Sequence, residues 1–161
     1  MTAKHKNSVT VRQYRDTDFP GVAALEIDGI HEPYRSAVFV RQQAAVSPET
    51  FLVAIQKEKV VGFVAAAIVH DNPRCAWILR VMVGDGFRRC GIGTALLRGA
   101  VRVLGKCGVA EIYLTVSPKN EPAVRLYSQE GFVKESLVAA YFGNGEDRFV
   151  MKRVSETCPE P

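Results

Sequence analysis

Apolar residues recur along this chain in two rhythms, and the change from one to the other divides it into halves. The first half is dominated by short apolar runs. Val9 to Arg12 reads as a short strand, and Phe51 to Gln56, Val60 to His70 and Cys75 to Val83 read as three more, rich in β-branched residues and alanine. Lys57-Glu58-Lys59 and Asn72-Pro73 supply the turns between the last three. Links this short imply antiparallel neighbours. Two helices are predicted between the first strand and the second. Thr17 is placed to cap the first, which runs to about Asp28 with Phe19, Val22, Ala23 and Leu25 apolar. A loop from Gly29 to Tyr34 leads to the other, over Ser36 to Ala45.

The second half alternates helix and strand. Ile92, Leu96, Ala100 and Val103 stand at helical spacing within Gly91 to Lys106. Glu111 to Val116 is a strand, and Glu121 to Glu130 a helix closed by Gly131 in a C-cap position. Phe132 to Tyr141 and Asp147 to Arg153 are strands joined through Gly143-Asn144-Gly145. The strand–helix–strand order from Cys75 to Val116 requires a crossover, and therefore a parallel pair. The expected fold is a mixed α/β domain over residues 9–154, with helices on both faces of one sheet and loose ends at 1–8 and 155–161.

Composition narrows the class without naming it. A chain of 161 residues can bury a sizeable core as one domain, and 47% hydrophobic with 24% charged residues is ordinary for a globular protein. No apolar run approaches the roughly 20 residues that cross a bilayer. Polar, basic Met1 to Asn7 is followed by no apolar stretch, so no secretory signal is expected. Cys75, Cys90, Cys107 and Cys158 form no C-x-x-C pair and accompany no histidine cluster. That argues against zinc and against a disulfide framework, and for reduced thiols in a cytoplasmic protein. The net charge of +4 suits an anionic small ligand, a nucleic acid or an acidic peptide. No basic stretch is interleaved with aromatics, which sets nucleic-acid binding aside.

The most informative segment runs from Val81-Met82-Val83 through Gly84-Asp85-Gly86-Phe87-Arg88-Arg89-Cys90 into Gly91-Ile92-Gly93-Thr94. It leads from a strand end through a basic loop into a helix. The first turn of a helix has N–H groups without internal partners, and with the helix dipole they bind anions such as phosphate. Gly91 and Gly93 would permit close approach. Neither G-x-G-x-x-G, since Leu96 takes the third place, nor G-x-x-x-x-G-K-[ST] is present.

Arg88-Arg89-Cys90-Gly91-Ile92-Gly93 resembles the acyl-CoA signature of the GNAT superfamily of N-acetyltransferases: Arg or Gln, two residues, Gly, one residue, then Gly or Ala. A second block is similar too: Val116-Ser117-Pro118-Lys119-Asn120, then Ala123-Val124-Arg125-Leu126-Tyr127, then Gly131-Phe132. The ending, Tyr141 to Met151, resembles ribosomal-protein-alanine and archaeal protein N-terminal acetyltransferases. The resemblance implies one domain with a mixed, mostly antiparallel sheet of six or seven strands and about four helices on its two faces. It implies acetyl-CoA as donor and no metal. The backbone of Val81, Met82 and Val83 would take the pantetheine arm like an added strand. The loop and helix start, Arg88, Arg89, Cys90, Gly91, Ile92, Gly93 and Thr94, would hold the pyrophosphate. Asn120 would bond the pantetheine region, and Tyr127 would be the general acid for the departing thiolate.

Acetyl transfer needs a neutral amine, a polarised thioester carbonyl and a stabilised thiolate. An α-amine near pKa ~8 needs little help, whereas deprotonating a lysine near ~10.4 costs roughly 4 kcal/mol at neutral pH. A strand N–H near Val83 could polarise the carbonyl. The base is harder to place. Where ribosomal-protein relatives carry a glutamate and some eukaryotic ones a histidine, this chain has Thr115, able to order a water. Where a tyrosine would assist, it has Trp77. Glu32 is the first substitute, with Glu146 and His70 behind it. Tyr34 and Tyr141, with Phe142, are candidate walls of a peptide slot. The expected acceptor is a protein N-terminal α-amine. The alternatives are a small-molecule amine, a lysine, or a non-catalytic CoA-binding module.

Overall fold

The computed structural model describes residues 8–30 and 32–155, and the expectations for residues 1–7 and 156–161, Cys158 among them, lie outside these. Its elements are β1 (Thr10–Gln13), α1 (Phe19–Ile30), α2 (Pro33–Val46), β2 (Phe51–Gln56), β3 (Lys59–Val69), β4 (Asn72–Val83), α3 (Ile92–Lys106), β5 (Glu111–Val116), α4 (Glu121–Gln129), β6 (Val133–Val138) and β7 (Arg148–Val154). The seven strands form one sheet in the order β1-β2-β3-β4-β5-β7-β6. β1–β2, β2–β3, β5–β7 and β6–β7 are antiparallel, and β4–β5 is the parallel pair that the crossover required. The parallel ladder is short, from Cys75/Glu111 to Trp77/Tyr113, while β4 runs on to Val83. No helix among the described residues is long and apolar enough to cross a membrane.

Two compact units divide the chain. One holds the chain up to Ala65 together with Arg80–Ala100; the other holds Ala66–Leu79 together with the chain from Val101 onward. The first is built on Val22, Val40, Phe51, Val53, Phe63 and Ala65, none with measurable exposure. Tyr14 stacks on Phe51 at 4.5 Å, and Phe63 meets the same ring edge-on at 6.0 Å. α3 lies close to the strands because two glycines permit it. A Cβ on Gly99 would come within 3.1 Å of Val11 and 3.2 Å of Leu52; one on Gly62 would stand 2.8 Å from the carbonyl oxygen of Met82 and 3.0 Å from Leu96. In the second unit, Ile112, Leu114, Val116, Phe132 and Met151 are buried, matching the alternation of β5.

Several boundaries differ from expectation, and Asn72-Pro73, expected as a turn, already belongs to β4. Thr17 does not cap α1. It sits in a 3-10 turn, Asp16–Asp18, where the Asp18 carboxylate accepts the Arg15 N–H at 2.8 Å and a bidentate pair from Arg12. Asp18 wins because it is buried and can satisfy both a backbone donor and a cation, whereas Thr17 is exposed. The expected loop Gly29 to Tyr34 is mostly helical: α1 reaches Ile30 and α2 starts at Pro33, whose fixed φ suits a first helical position.

Candidate active site

In the first unit, β4 gives way to a loop tied down at its start. The Gly84 N–H bonds the Val61 carbonyl at 2.9 Å, and the Phe87 N–H bonds the Gly84 carbonyl at 2.8 Å across the 3-10 turn Asp85–Phe87. Arg89 then takes a φ of 61° and Gly91 a φ of 76°. Arg88 before them is extended, so Arg89 marks a sharp bend, and the left-handed Gly91 leads directly into the right-handed first turn of α3, where successive amides can turn to one side and face an anion. Arg89 is not a glycine, so this conformation costs about 1 kcal/mol or more, a strain characteristic of ligand clamps.

α3 opens directly behind. Its first backbone bond runs from the Ala95 N–H to the Gly91 carbonyl at 3.0 Å, so the N–H groups of Ile92, Gly93 and Thr94 precede the helical ladder. No acidic residue occupies the first turn to neutralise them. A Cβ at Gly91 would find no heavy atom within 4 Å, so open space borders these donors. Ile92 and Leu96, 1% and 0% exposed, fix the turn to the core. Arg88 reaches Asp85 at 2.8 Å with both side chains largely exposed, a pair worth at most about 1 kcal/mol that an incoming phosphate can displace. The Cys90 thiol is exposed and rests on the Arg88 carbonyl at 3.5 Å. The donors, the open space and the missing counter-charge fit a diphosphate.

Two further candidates belong to this unit. Glu32 precedes α2, exposed, and its carbonyl accepts the Ser36 N–H at 2.9 Å while its carboxylate bonds nothing among the described residues. Tyr34, in the first turn of α2, is 79% exposed.

The other candidates belong to the second unit. Thr115 lies on β5 opposite Val150, on the same strand face as Tyr113, whose ring stacks on Trp77 at 5.2 Å. Asn120 caps α4: its Oδ1 accepts the Ala123 N–H at 3.3 Å, which leaves its side-chain NH₂ available. Tyr127 is partly buried, 6.1 Å from the Phe132 ring, and burial pushes its phenol up to about 12. Tyr141 and Phe142 form an exposed T-shaped pair at 4.8 Å in the β6–β7 loop. Glu146 is held by Arg148 at 2.7 Å, and His70 is exposed in the turn after β3. Among the described residues no His, Cys, Asp or Glu cluster could hold a metal ion.

Sequence reasoning missed one pairing beside the strand end. Arg80 of β4 forms an ion pair with Glu26 of α1, across 54 positions of sequence. It also missed a polar group on β4, β5 and β7. There Glu111 binds Lys152 at 2.7 Å and accepts from Tyr113 at 3.0 Å, and the Cys75 thiol faces it at 3.5 Å. The Lys152 hydrogen bond is the main reason the Glu111 carboxyl is held below its usual range, which makes it a poor proton acceptor. Neither pairing carries a local signal: each residue alone is an ordinary charge on a strand or helix.

Known proteins resemble this chain in sequence and in fold. Residues 10–132 match the Acetyltransferase (GNAT) family. An N-alpha-acetyltransferase of Saccharolobus solfataricus is 32% identical over 154 residues, covering 89% of this chain and 92% of the relative. That of Sulfurisphaera tokodaii is 26% identical over 166 residues, covering 92% and 95%. The crystal structure of Ard1 from Thermoplasma volcanium superposes with a TM-score of 0.80 at 26% identity, covering 91% of this chain and 97% of that one.

Proposed function

The chain belongs to the GNAT acetyltransferase family, and from that premise we propose that it transfers the acetyl group of acetyl-CoA to the α-amine of a protein or peptide N-terminus, by direct attack in a ternary complex. The observation that carries the donor side is the opening of α3: three backbone N–H groups ahead of the helical ladder, with no acidic residue in the helix's first turn, bordered by open space at Gly91. The acceptor side is supported by relatives named N-alpha-acetyltransferase over nearly their whole length.

Acetyl-CoA supplies the activated acyl group. Amides from Arg89 to Thr94 hold its diphosphate, and the edge of Val81–Val83 pairs with the pantetheine arm; a strand N–H near Val83 donates to the acyl oxygen as charge grows there. Asn120 offers its uncommitted side-chain NH₂ to the pantetheine region. Tyr127 donates a hydrogen bond to the departing sulfur, and CoA leaves as the thiolate, which takes its proton from solvent. A phenol at about 12 stays protonated at every working pH. Full transfer to a thiolate of pKa ~8.5 would be uphill by about 5 kcal/mol, so the hydroxyl stabilises the departing sulfur without giving up its proton. Glu32, with a carboxylate free of partners among the described residues, takes the ammonium proton or orders the water that does. An α-amine near ~8 demands no stronger base.

The test follows thiol release from acetyl-CoA with N-terminal peptides, polyamines and aminoglycosides as acceptors. Turnover confined to peptides with a free α-amine is the expected result. Turnover with none of them, while CoA still binds, would overturn the reading in favour of a non-catalytic CoA-binding module.

A further inference from the structure

Arg80 is the residue immediately before the Val81–Val83 edge, and its side chain is committed in an unusual way. Its Nε lies 3.1 Å from both carboxylate oxygens of Glu26, and Nη2 bonds Oε1 of the same group. Glu26 is enclosed, 1% exposed, whereas the Arg80 side chain is 36% exposed. The anion is therefore sealed inside and the cation opens outward. The Phe39 ring of α2 lies 5.8 Å from the guanidinium and limits where it can swing. Nη1 has no partner among the described residues.

Stability does not call for this arrangement. The neighbouring core is apolar, and replacing a buried ion pair by apolar residues of similar volume is often neutral or stabilising. What the pair uniquely offers is a planar donor edge, held in place by a fork of hydrogen bonds, whose positive charge is already balanced. Such an edge suits a neutral oxygen, because an acidic group approaching it would meet the field of Glu26 as well as that of Arg80.

We propose that Arg80, aimed and neutralised by Glu26, is a specificity residue that donates from Nη1 to a backbone carbonyl of an uncharged acceptor N-terminus. The inference rests on the peptide-acceptor reading above and names the part of the peptide that is read. Glu26 acts through Arg80 and is a positioning residue.

Glu26→Gln is the decisive variant, because it keeps the shape and one acceptor oxygen and removes the balancing charge. Two peptides that differ only in Ala or Asp at the second position serve as acceptors. In the parent protein the Ala peptide is favoured or the two are equal. In Glu26→Gln the ratio of kcat/KM, Asp over Ala, rises about tenfold, with the KM for acetyl-CoA within twofold. Arg80→Lys, which retains the charge and loses the fork, raises the peptide KM at least fivefold for the Ala peptide at unchanged acetyl-CoA KM. It stands alone should Glu26→Gln fail to fold. An unchanged Asp-to-Ala ratio in folded Glu26→Gln, or an unchanged peptide KM in Arg80→Lys, overturns the proposal. Turnover of the parent protein with either peptide reports separately on the underlying reaction. A parent protein inactive on both overturns the reading and the inference together.

Discussion

Gly91→Ala separates what the fold requires at the start of α3 from what the ligand requires. In the free protein the added methyl would meet no heavy atom within 4 Å, so packing does not oppose it. The backbone does: a φ of 76° is left-handed, and an alanine held there costs about 1–2 kcal/mol. In a chain of this length that corresponds to a fall in Tm of roughly 2–8 °C. The same methyl occupies the space through which a diphosphate reaches the amides of Ile92, Gly93 and Thr94. A hydrogen bond to a charged group contributes about 1.5–3 kcal/mol net, so losing one weakens CoA by roughly 10- to 150-fold. Calorimetric titration with CoA measures that loss, pantetheine without the diphosphate serves as the control, and a thermal melt without ligand measures the fold. The expected pattern is a modest drop in Tm, a large rise in the Kd of CoA and little change for pantetheine. A CoA Kd within twofold of the parent, at the expected drop in Tm, would refute the assignment of these amides to the diphosphate.

Three other outcomes follow from the same structure. Tyr127→Phe lowers kcat about 10- to 100-fold with the acetyl-CoA KM nearly unchanged. Since burial places the Tyr127 phenol at about 12, the parent pH–rate profile shows no falling limb from it below about pH 11, and a limb at lower pH that vanishes in this variant contradicts the assignment. Asp18, its carboxyl lowered chiefly by the Arg12 hydrogen bond, contributes stability that is present above the unfolded value of ~3.9 and lost as pH falls through the lower native one. Asp18→Asn costs about 2 kcal/mol at pH 7, and the difference from the parent in denaturant melts narrows below about pH 4. Gly62→Ala forces a methyl within 2.8 Å of the Met82 carbonyl oxygen and lowers stability by about 1–3 kcal/mol, again read by denaturant melts.

Much of the fold is written in local pattern. Phe51–Gln56 and Glu111–Val116 have the bounds read from the sequence, because short, largely apolar runs between turn signals leave little freedom. Gly131, read as a C-cap, has a φ of 87°. Pro33, at the first position of α2, starts that helix three residues before the expected Ser36. The strand expected over Phe132 to Tyr141 ends at Val138, because Ala140 turns to a φ of 50° while its N–H bonds Asp147 at 2.8 Å. That β7 lies between β5 and β6 depends on long-range pairing that no window of sequence contains. The site divides in the same way. The glycine-rich opening of α3 was legible because its chemistry is carried by contiguous backbone. Glu26 with Arg80, and Glu111 with Lys152, were not, because each depends on which charges the fold brings face to face.

The first turn of α3 is gripped by Ile92 and Leu96, and one turn past Leu96 the same helix lies against β1 and β2 at Gly99. Burial of those side chains fixes the direction of the donors at its tip, so the diphosphate proposed to bind there would spend little entropy on ordering them. A ligand held by the folded state alone stabilises it by mass action, so CoA bound as proposed would add about 2.7 kcal/mol to the free energy of unfolding at a hundred times its dissociation constant. On that reading the ambient level of CoA would tune how well the folded chain withstands heat and proteases.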